Sequence, residues 1–465
     1  MPSEGHDHDN RGRPAGPLAE PSTAGYRVRR RGLPRTRRHR IRAVLLTASA
    51  PALAGLLLLH VLWPTHWTGG GDGRRWMVLA DSVTLVSVGL AELFALACAA
   101  AVAYAARVAG DPVPVTPGPG TRLALLTTYA PGQEPLAAVR AALEGAVRVR
   151  HPGPLDVWLL DEGDDPEARM LCAELGVHHF TRLGVPEWNR EAGPHRAGTR
   201  HGNVNAWLAK HGDAYDFVAT AAPGHLPRPG PTERMTGYFR DPDVAFVVGP
   251  RARGQQASGS PRGLLHALVQ TSGNRFGAPL LDGADMVVRV GALRQAGGLG
   301  ADAAATGFEI HRLRNPLTGR YWRSVHTADV RAAAEAPRSP ADASTRRPGR
   351  SRAEYAALLR LYGKALFRVP PGRLLGYTLT LARRPVEAVT CLFAVLSGVL
   401  VLTHPQARAW AVLALAASLA PLVPWSLARL RGRGGRPAPG PAGPPLPARE
   451  TEPALAAAST PGPGD

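Results

Sequence analysis

Lysine is almost missing from this chain: of 55 basic residues, only Lys210 and Lys364 are lysines and the rest are arginine. With Ala, Gly and Pro equally abundant, this reads as coding bias. A single arginine therefore carries little information, and only clustering does. Cysteine is scarce too. Cys98, Cys172 and Cys391 are all there are, and no CxxC pair occurs, so neither a zinc site nor a disulfide framework has support. Residues 1–25 lack the apolar run of a secretory signal; they are polar, rich in Pro and Gly, and read as disordered. Basic charge is in surplus, at +19 over 465 residues. Its densest run, RVRRRGLPRTRRHRIR (Arg27 to Arg42), stands directly before an apolar stretch and has no interleaved aromatic residue. That favours a juxtamembrane flank over a nucleic-acid arm, so no nucleic-acid partner is expected.

Long apolar runs are present. A membrane helix needs about 20 such residues. Four candidates occur: Ala43 to Trp63, Met77 to Ala106, Val386 to Thr403 and Ala409 to Ala428. The second carries Asp81 and Glu92, which read as interfacial and bundle-facing acids, since no second charged span exists to form a relay. Arginine dominates before the first span and after the fourth. The positive-inside rule then places both termini and the large central segment in the cytoplasm, although Arg74 and Arg75 count against it. The expectation is a multi-pass plasma-membrane protein with the lipid bilayer as a partner. Its parts are a disordered basic tail (1–42), a helix pair (43–107), a globular domain (121–345), a linker with interfacial helices (346–385), a helix hairpin (386–428) and a disordered tail (429–465).

In the globular segment, strand-like and helix-like runs alternate. RLALLTTY, LDVWLLDEG, HHFTRL, DFVATA and VAFVVGPR have strand character; PLAAVRAALEGAVRV, DPEARMLCAELG, GNVNAWLAKHG and PTERMTGYFRD have helical spacing. This pattern predicts an α/β fold, a mostly parallel sheet with helices on both faces. Such folds bind ligands at the carboxyl ends of the strands, which points to Tyr129, Asp161 and the loop after Ala222.

The ordered series TTYxPxxEP, GPLDVWLLDEGDDPE, RHGNVNAWL, FVATAAPGHLPRP, YFRDPDVAFVVGP and GGLGADAAATGFE resembles the membrane-bound family-2 glycosyltransferases related to cellulose synthase. The likeness covers about Arg122 to Val330. It implies a GT-A (Rossmann-like) fold and transfer of a sugar, with inversion, from a nucleotide donor, usually UDP-linked, to a glycan or lipid acceptor. In that family a carboxylate takes the acceptor proton, and a divalent metal on paired aspartates stabilises the leaving diphosphate. Mg or Mn would be the cofactor.

Carried over residue by residue, the resemblance gives a mixed result. Asp161 and Glu162 stand at the family's DDG; Asp161 is the candidate contact to a uracil or, on an equal footing, a strand-end acid capping a turn. Tyr129 takes the TYNEP tyrosine, as a wall of the base pocket or a core residue. Arg200 and Asn203 belong to RHGNVN, at the family's KAGNxN, where an arginine near a helix start suits phosphate and Asn203 also suits helix capping. The metal motif DADH becomes Ala222-Pro223-Gly224-His225, without carboxylates, so no metal ligand set is assigned. The base motif TED becomes Ala305-Thr306-Gly307. Glu309 is two residues further on, and Asp282, Asp285 and Asp302 are nearby acids out of place. The QxxRW motif has no counterpart, Arg360 and Tyr362 being its nearest analogues.

Three readings follow. The chain is a membrane glycosyltransferase working with substituted acids. Alternatively it is a pseudo-glycosyltransferase that binds a nucleotide, a glycan or an intact synthase. The third is a membrane scaffold or channel subunit whose soluble domain binds no nucleotide; the protein partner expected is an intact synthase or a second copy in a homo-oligomer.

Overall fold

The structure is a computed structural model describing residues 18–21, 25–32, 48, 52, 55, 56, 59, 75–221, 225–226, 231–250, 261–282, 286–327, 333–334 and 352–382. Seven strands form the central sheet: β1 (Leu123–Tyr129), β2 (Leu155–Asp161), β3 (His178–Thr181), β4 (Phe217–Ala221), β5 (Val244–Val248), β6 (Met286–Arg289) and β7 (Arg323–His326). Their order across the sheet is β3-β2-β1-β4-β6-β5-β7. Neighbours run parallel, except that β6 is antiparallel to both β4 and β5. Six carboxyl ends therefore share one edge of the sheet. This is the α/β fold with a mostly parallel sheet that the sequence predicts.

The local reasons are direct. All seven residues of β1 are buried, as suits a central strand covered on both faces. Its residues divide by parity. Ala124 and Leu126 join a core with Trp158, Trp207 and Phe246; Leu123 and Leu125 join the opposite core with Phe217, Phe239 and Val247. Each leucine so buried contributes about 1.5–3 kcal/mol.

Among the described residues the longer helices are α1 (Arg75–Val108), α2 (Leu136–Val147), α3 (Pro166–Leu175), α4 (Arg200–His211), α5 (Pro261–Phe276), α6 (Ala303–Arg312) and α7 (Arg352–Ala365), with a further helix over 371–382. The Asp165 side chain starts α3 by accepting from the Glu167 N–H, with Pro166 in the first turn, and Gly176 at φ +66° ends it. The expected helix at PTERMTGYFRD divides instead into Pro231–Thr236 and a tighter turn, Gly237–Arg240. Gly237 lies against the Val115 carbonyl, where a side chain has no room. Behind α6, the helices α7 and 371–382 close a third core around Phe308, Leu358, Tyr377 and Val269.

Two differences concern the membrane-directed parts. Residues 25–32 lie in the stretch read as a disordered tail, yet they are docked. Arg30–Gly32 pairs antiparallel with Gly110–Pro112, and Arg27 binds Asp243 at 2.8 Å. The reason is mutual satisfaction: the ribbon gains backbone hydrogen bonds, and a fully buried carboxylate gains a cation. The second predicted span falls on α1, a helix of 34 residues, most of whose side chains before Leu93 lie outside the description, including Asp81 and Glu92. Among the described residues no helix is long and apolar enough to cross a membrane. The first predicted span is represented by a few isolated residues, and the last two lie outside the described residues.

Candidate functional site at the carboxyl edge of the sheet

β1 and β2 end side by side, with Tyr129 paired in register to Asp161. Asp161 is fully buried, and its carboxylate is already in use. Oδ1 accepts from the Gly163 N–H at 2.9 Å and Oδ2 from the Asp165 N–H at 2.6 Å; His179 Nε2 lies 3.2 Å from Oδ2. These are the bonds of a strand-end acid capping a turn, one of the two readings offered for this residue. Tyr129 is buried and donates its hydroxyl to Asp165 at 2.9 Å. Burial, and then that bond to a carboxylate, push its pKa up to about 12. The tyrosine is thus a locked donor in the wall of the turn.

Glu162 points elsewhere. It accepts from Arg182 Nε at 3.0 Å and Nη2 at 2.5 Å, and from the Gly198 N–H at 2.9 Å. The Arg182 side chain is wholly buried and also donates to the carbonyls of Trp188 (2.7 Å), Arg196 (3.0 Å) and Thr199 (3.3 Å). One guanidinium thus organises the whole loop from β3 to α4. Sequence reasoning missed it, because one arginine in an arginine-rich chain carries no signal.

The loop delivers α4 to the edge. Thr199 caps it by accepting from the Gly202 N–H, and Gly202 lies against the Arg196 carbonyl with no space for a side chain. Arg200, in the first turn, is exposed. It faces half-buried Glu134 of the loop after β1; burial pushes the Glu134 carboxyl up, and the Arg200 charge opposes that push. Asn203 donates to the Leu160 carbonyl at 3.2 Å, tying α4 to the end of β2. Its Oδ1 is buried and finds no partner among the described residues. Asn205 reaches the other way, accepting from the Leu299 N–H at 2.7 Å and donating to the Leu299 carbonyl at 2.8 Å. The GNxN pattern therefore joins both halves of the sheet edge.

The missing acids occupy two different situations. Ala222 and Gly224 lie outside the described residues, while His225 is described as strand backbone paired with Ala334. Gly307 is buried in α6. A Cβ there would meet Leu281 Cβ at 2.6 Å and Phe246 Cζ at 3.3 Å. The position is filled by the core, with no room for a carboxylate. Glu309 turns away and pairs with Arg312 at 2.7 Å. Asp302 caps α6 by accepting from the Ala304 N–H, and Thr306 takes the Gly300 N–H at 2.9 Å. Asp285 lies outside the described residues. Arg360 is exposed on α7, and Tyr362 bonds Thr378 at 2.7 Å.

The residues present do not fit a divalent ion. Ala222, Pro223 and Gly224 have no side-chain donor atom. Asp161, Asp164 and His179 bring ligand atoms within 4.8 Å of one another. However, each Asp161 oxygen already accepts from a backbone N–H group and Asp164 is paired with Arg169 at 2.5 Å. Mg²⁺ and Mn²⁺ take free oxygen donors, which this cluster does not offer.

No family model matches the chain. Among curated proteins, the cellulose synthase catalytic subunit (UDP-forming) of Xanthomonas axonopodis pv. citri is 27% identical over 219 residues. That match covers 44% of this chain and 28% of the relative's length. The likeness to family-2 glycosyltransferases of the cellulose synthase kind, carried by the motifs, is thus found again in a whole-segment comparison. Solved structures of similar arrangement include a mannosyltransferase from Pyrobaculum calidifontis in complex with GDP-mannose and Mn²⁺, at 15% identity and TM-score 0.39, covering 84% of this chain and 98% of that one. Glucosyl-3-phosphoglycerate synthase from Mycobacterium tuberculosis, in complex with UDP and Mn²⁺, is at 15% identity and TM-score 0.37, covering 52% and 81%.

Proposed function

We propose that this chain is a membrane-embedded, glycosyltransferase-like protein that binds a nucleotide sugar, UDP-linked, at the carboxyl edge of its sheet and no longer transfers the sugar. The observation that carries this reading is Gly307. The place of the family's general base is packed against Leu281 and Phe246. A lost base alone lowers the rate by about 10²–10⁴. Here the metal carboxylates are absent as well, so neither the acceptor proton nor the leaving diphosphate has its usual partner. What remains suits binding: an exposed Arg200 at a helix start, the Glu134 carboxyl facing it, and the unfilled acceptor of Asn203. The role that follows is that of a nucleotide- or glycan-binding subunit working beside an intact synthase.

The plasma-membrane setting with cytoplasmic termini is part of the proposal. It is supported by the four apolar runs and by exposed apolar residues on α1, among them Val86, Leu90, Leu93 and Tyr104. These four recur at helical spacing along one stripe. A second reading, active transfer to a glycan or lipid acceptor, is favoured by the similarity to a subunit described as UDP-forming.

Reconstituted full-length protein separates the readings. It would be given pooled nucleotide sugars with Mg²⁺ and Mn²⁺ and assayed for UDP release and for UDP binding. Binding without release is the expected result, with affinity about tenfold lower in Arg200→Ala, the loss of one charge-assisted contact. Release above the background of Arg200→Ala would establish the second reading. Neither binding nor release would leave a scaffold built on the fold.

A further inference from the structure

The opposite edge of the sheet holds a different cluster. β7 begins there at Arg323, and Asp243 immediately precedes β5. A cavity of about 300 Å³ is lined by Arg27, Arg314, Arg320, Arg323, Arg373 and Asp243, together with Phe276 and Tyr321. Its single acid is already committed. Asp243 accepts from Arg27 at 2.8 Å, from Asn315 at 3.2 Å and from the Thr318 hydroxyl. Among the described residues no carboxylate lies within salt-bridge distance of Arg314, Arg320, Arg323 or Arg373. Arg314 and Arg373 are held over the Tyr321 ring at 4.3 and 5.1 Å from its centroid. Arg373 also donates to the Trp322 carbonyl at 2.8 Å and Arg314 to the Gly319 carbonyl at 2.8 Å. These bonds fix the guanidiniums in place and leave their charge uncompensated.

Like charges gathered in a partly enclosed space destabilise one another. Burial and the neighbouring Arg323 push the Arg373 guanidinium down to about 10, and burial, Arg323 and Arg275 do the same to Arg30 beside the cavity. A rigid group of planar donors without counter-charge matches a tetrahedral oxyanion, which arginine binds in bidentate fashion. The position adds a second argument. The ribbon of Arg30–Gly32 and Gly110–Pro112 joins the chain entering the first apolar run to the chain leaving α1. Tyr104 near the end of α1 stacks on Phe276 of the cavity wall, centroids 6.5 Å apart.

We propose that this arginine cavity is a binding site for a phosphate group, separate from the carboxyl-edge site and placed where the chain turns toward the membrane-directed segments. Two sources carry the same chemistry: the headgroup of an anionic phospholipid and free inorganic phosphate. The proposal does not depend on whether the carboxyl edge binds nucleotide.

The test uses full-length protein in detergent and reads its thermal unfolding midpoint. One arm adds inorganic phosphate against chloride at equal ionic strength. The other adds phosphatidylglycerol against phosphatidylcholine in mixed micelles. Saturating ligand should raise the midpoint by roughly 5 °C. A rise with inorganic phosphate identifies a soluble ligand, and a rise with phosphatidylglycerol alone identifies the headgroup. Arg320→Ala, an exposed position that leaves the core untouched, should halve the response or more, and Arg320→Ala with Arg323→Gln should abolish it. Arg150→Ala, which removes an exposed charge outside the cavity, should respond as the unaltered protein does. The proposal fails if neither arm moves the midpoint, or if the double variant responds like the parent.

Discussion

The two edges of the central sheet treat charge in opposite ways. At the carboxyl edge, the buried ions Asp161 and Arg182 are closed into local networks, the first by backbone N–H groups and the second by Glu162. At the opposite edge, five guanidiniums share a cavity with one carboxylate, which Arg27 and Asn315 already occupy. A saturated network holds a shape and asks for nothing further; an unsaturated one is a standing demand for a partner. The edge that the family resemblance marks for chemistry has thus been built for rigidity, and the edge without a motif carries the stronger demand for a ligand.

The sharpest way to break this contrast is to open the saturated side. Arg182→Met leaves half-buried Glu162 and three carbonyls without their donor. Unfolding of the full chain should show a loss of about 3–5 kcal/mol, and a change near zero would mean that the loop does not depend on this ion.

Acid should act on two buried histidines, His326 at the end of β7 and His311 on α6. Burial holds the His326 pKa down to about 3 and that of His311 well below its usual value. A folded-state pKa below the unfolded value near 6.5 means that the stabilisation is present above about pH 6.5. It is lost as pH falls, by roughly 1.4 kcal/mol per unit for each such group, down to its folded pKa. A stability profile flat between pH 4 and 7 would contradict this, and His326→Gln should flatten it in part.

Smaller again is the effect of restoring the family's acid. Gly307→Asp forces a side chain against Leu281 and should cost about 1–3 kcal/mol of stability without producing UDP release. Release from that variant would show that the core yields and that the site is one residue from activity. At the low end, Arg320→Ala without ligand should stay within about 0.5 kcal/mol of the parent, so that its effect appears only when phosphate is present. Glu309→Gln should be equally mild, since an i,i+3 ion pair on a helix is worth about 0.2–0.5 kcal/mol.

Much of the fold was legible. The alternation of apolar strand runs with amphipathic stretches gave the α/β class and a mostly parallel sheet, because covering a sheet on both faces leaves buried, continuous strands such as LALLTTY. The antiparallel β6 was not legible. MVVR is a four-residue apolar run, and its direction is set by which neighbours it pairs with, not by its own residues. Of the candidate site, the residue types were visible and their employment was not. Asp161 offers the same letters to a uracil and to a turn, and Arg182 is one arginine among many.

By itself the sequence determined composition, the apolar runs, the order of the motifs and the absence of side-chain metal donors at Ala222 to Gly224. These are properties of residue identity and spacing, which folding does not change. Only the tertiary structure decided that both Asp161 oxygens are held by backbone N–H groups, that Gly307 is walled in by Leu281 and Phe246, and that arginines 27, 314, 320, 323 and 373 meet in one cavity. Each of these joins residues distant along the chain or fixes which of several possible partners a group takes. Hydrogen bonding, exclusion of volume and charge repulsion act through space, and the space is made by the fold.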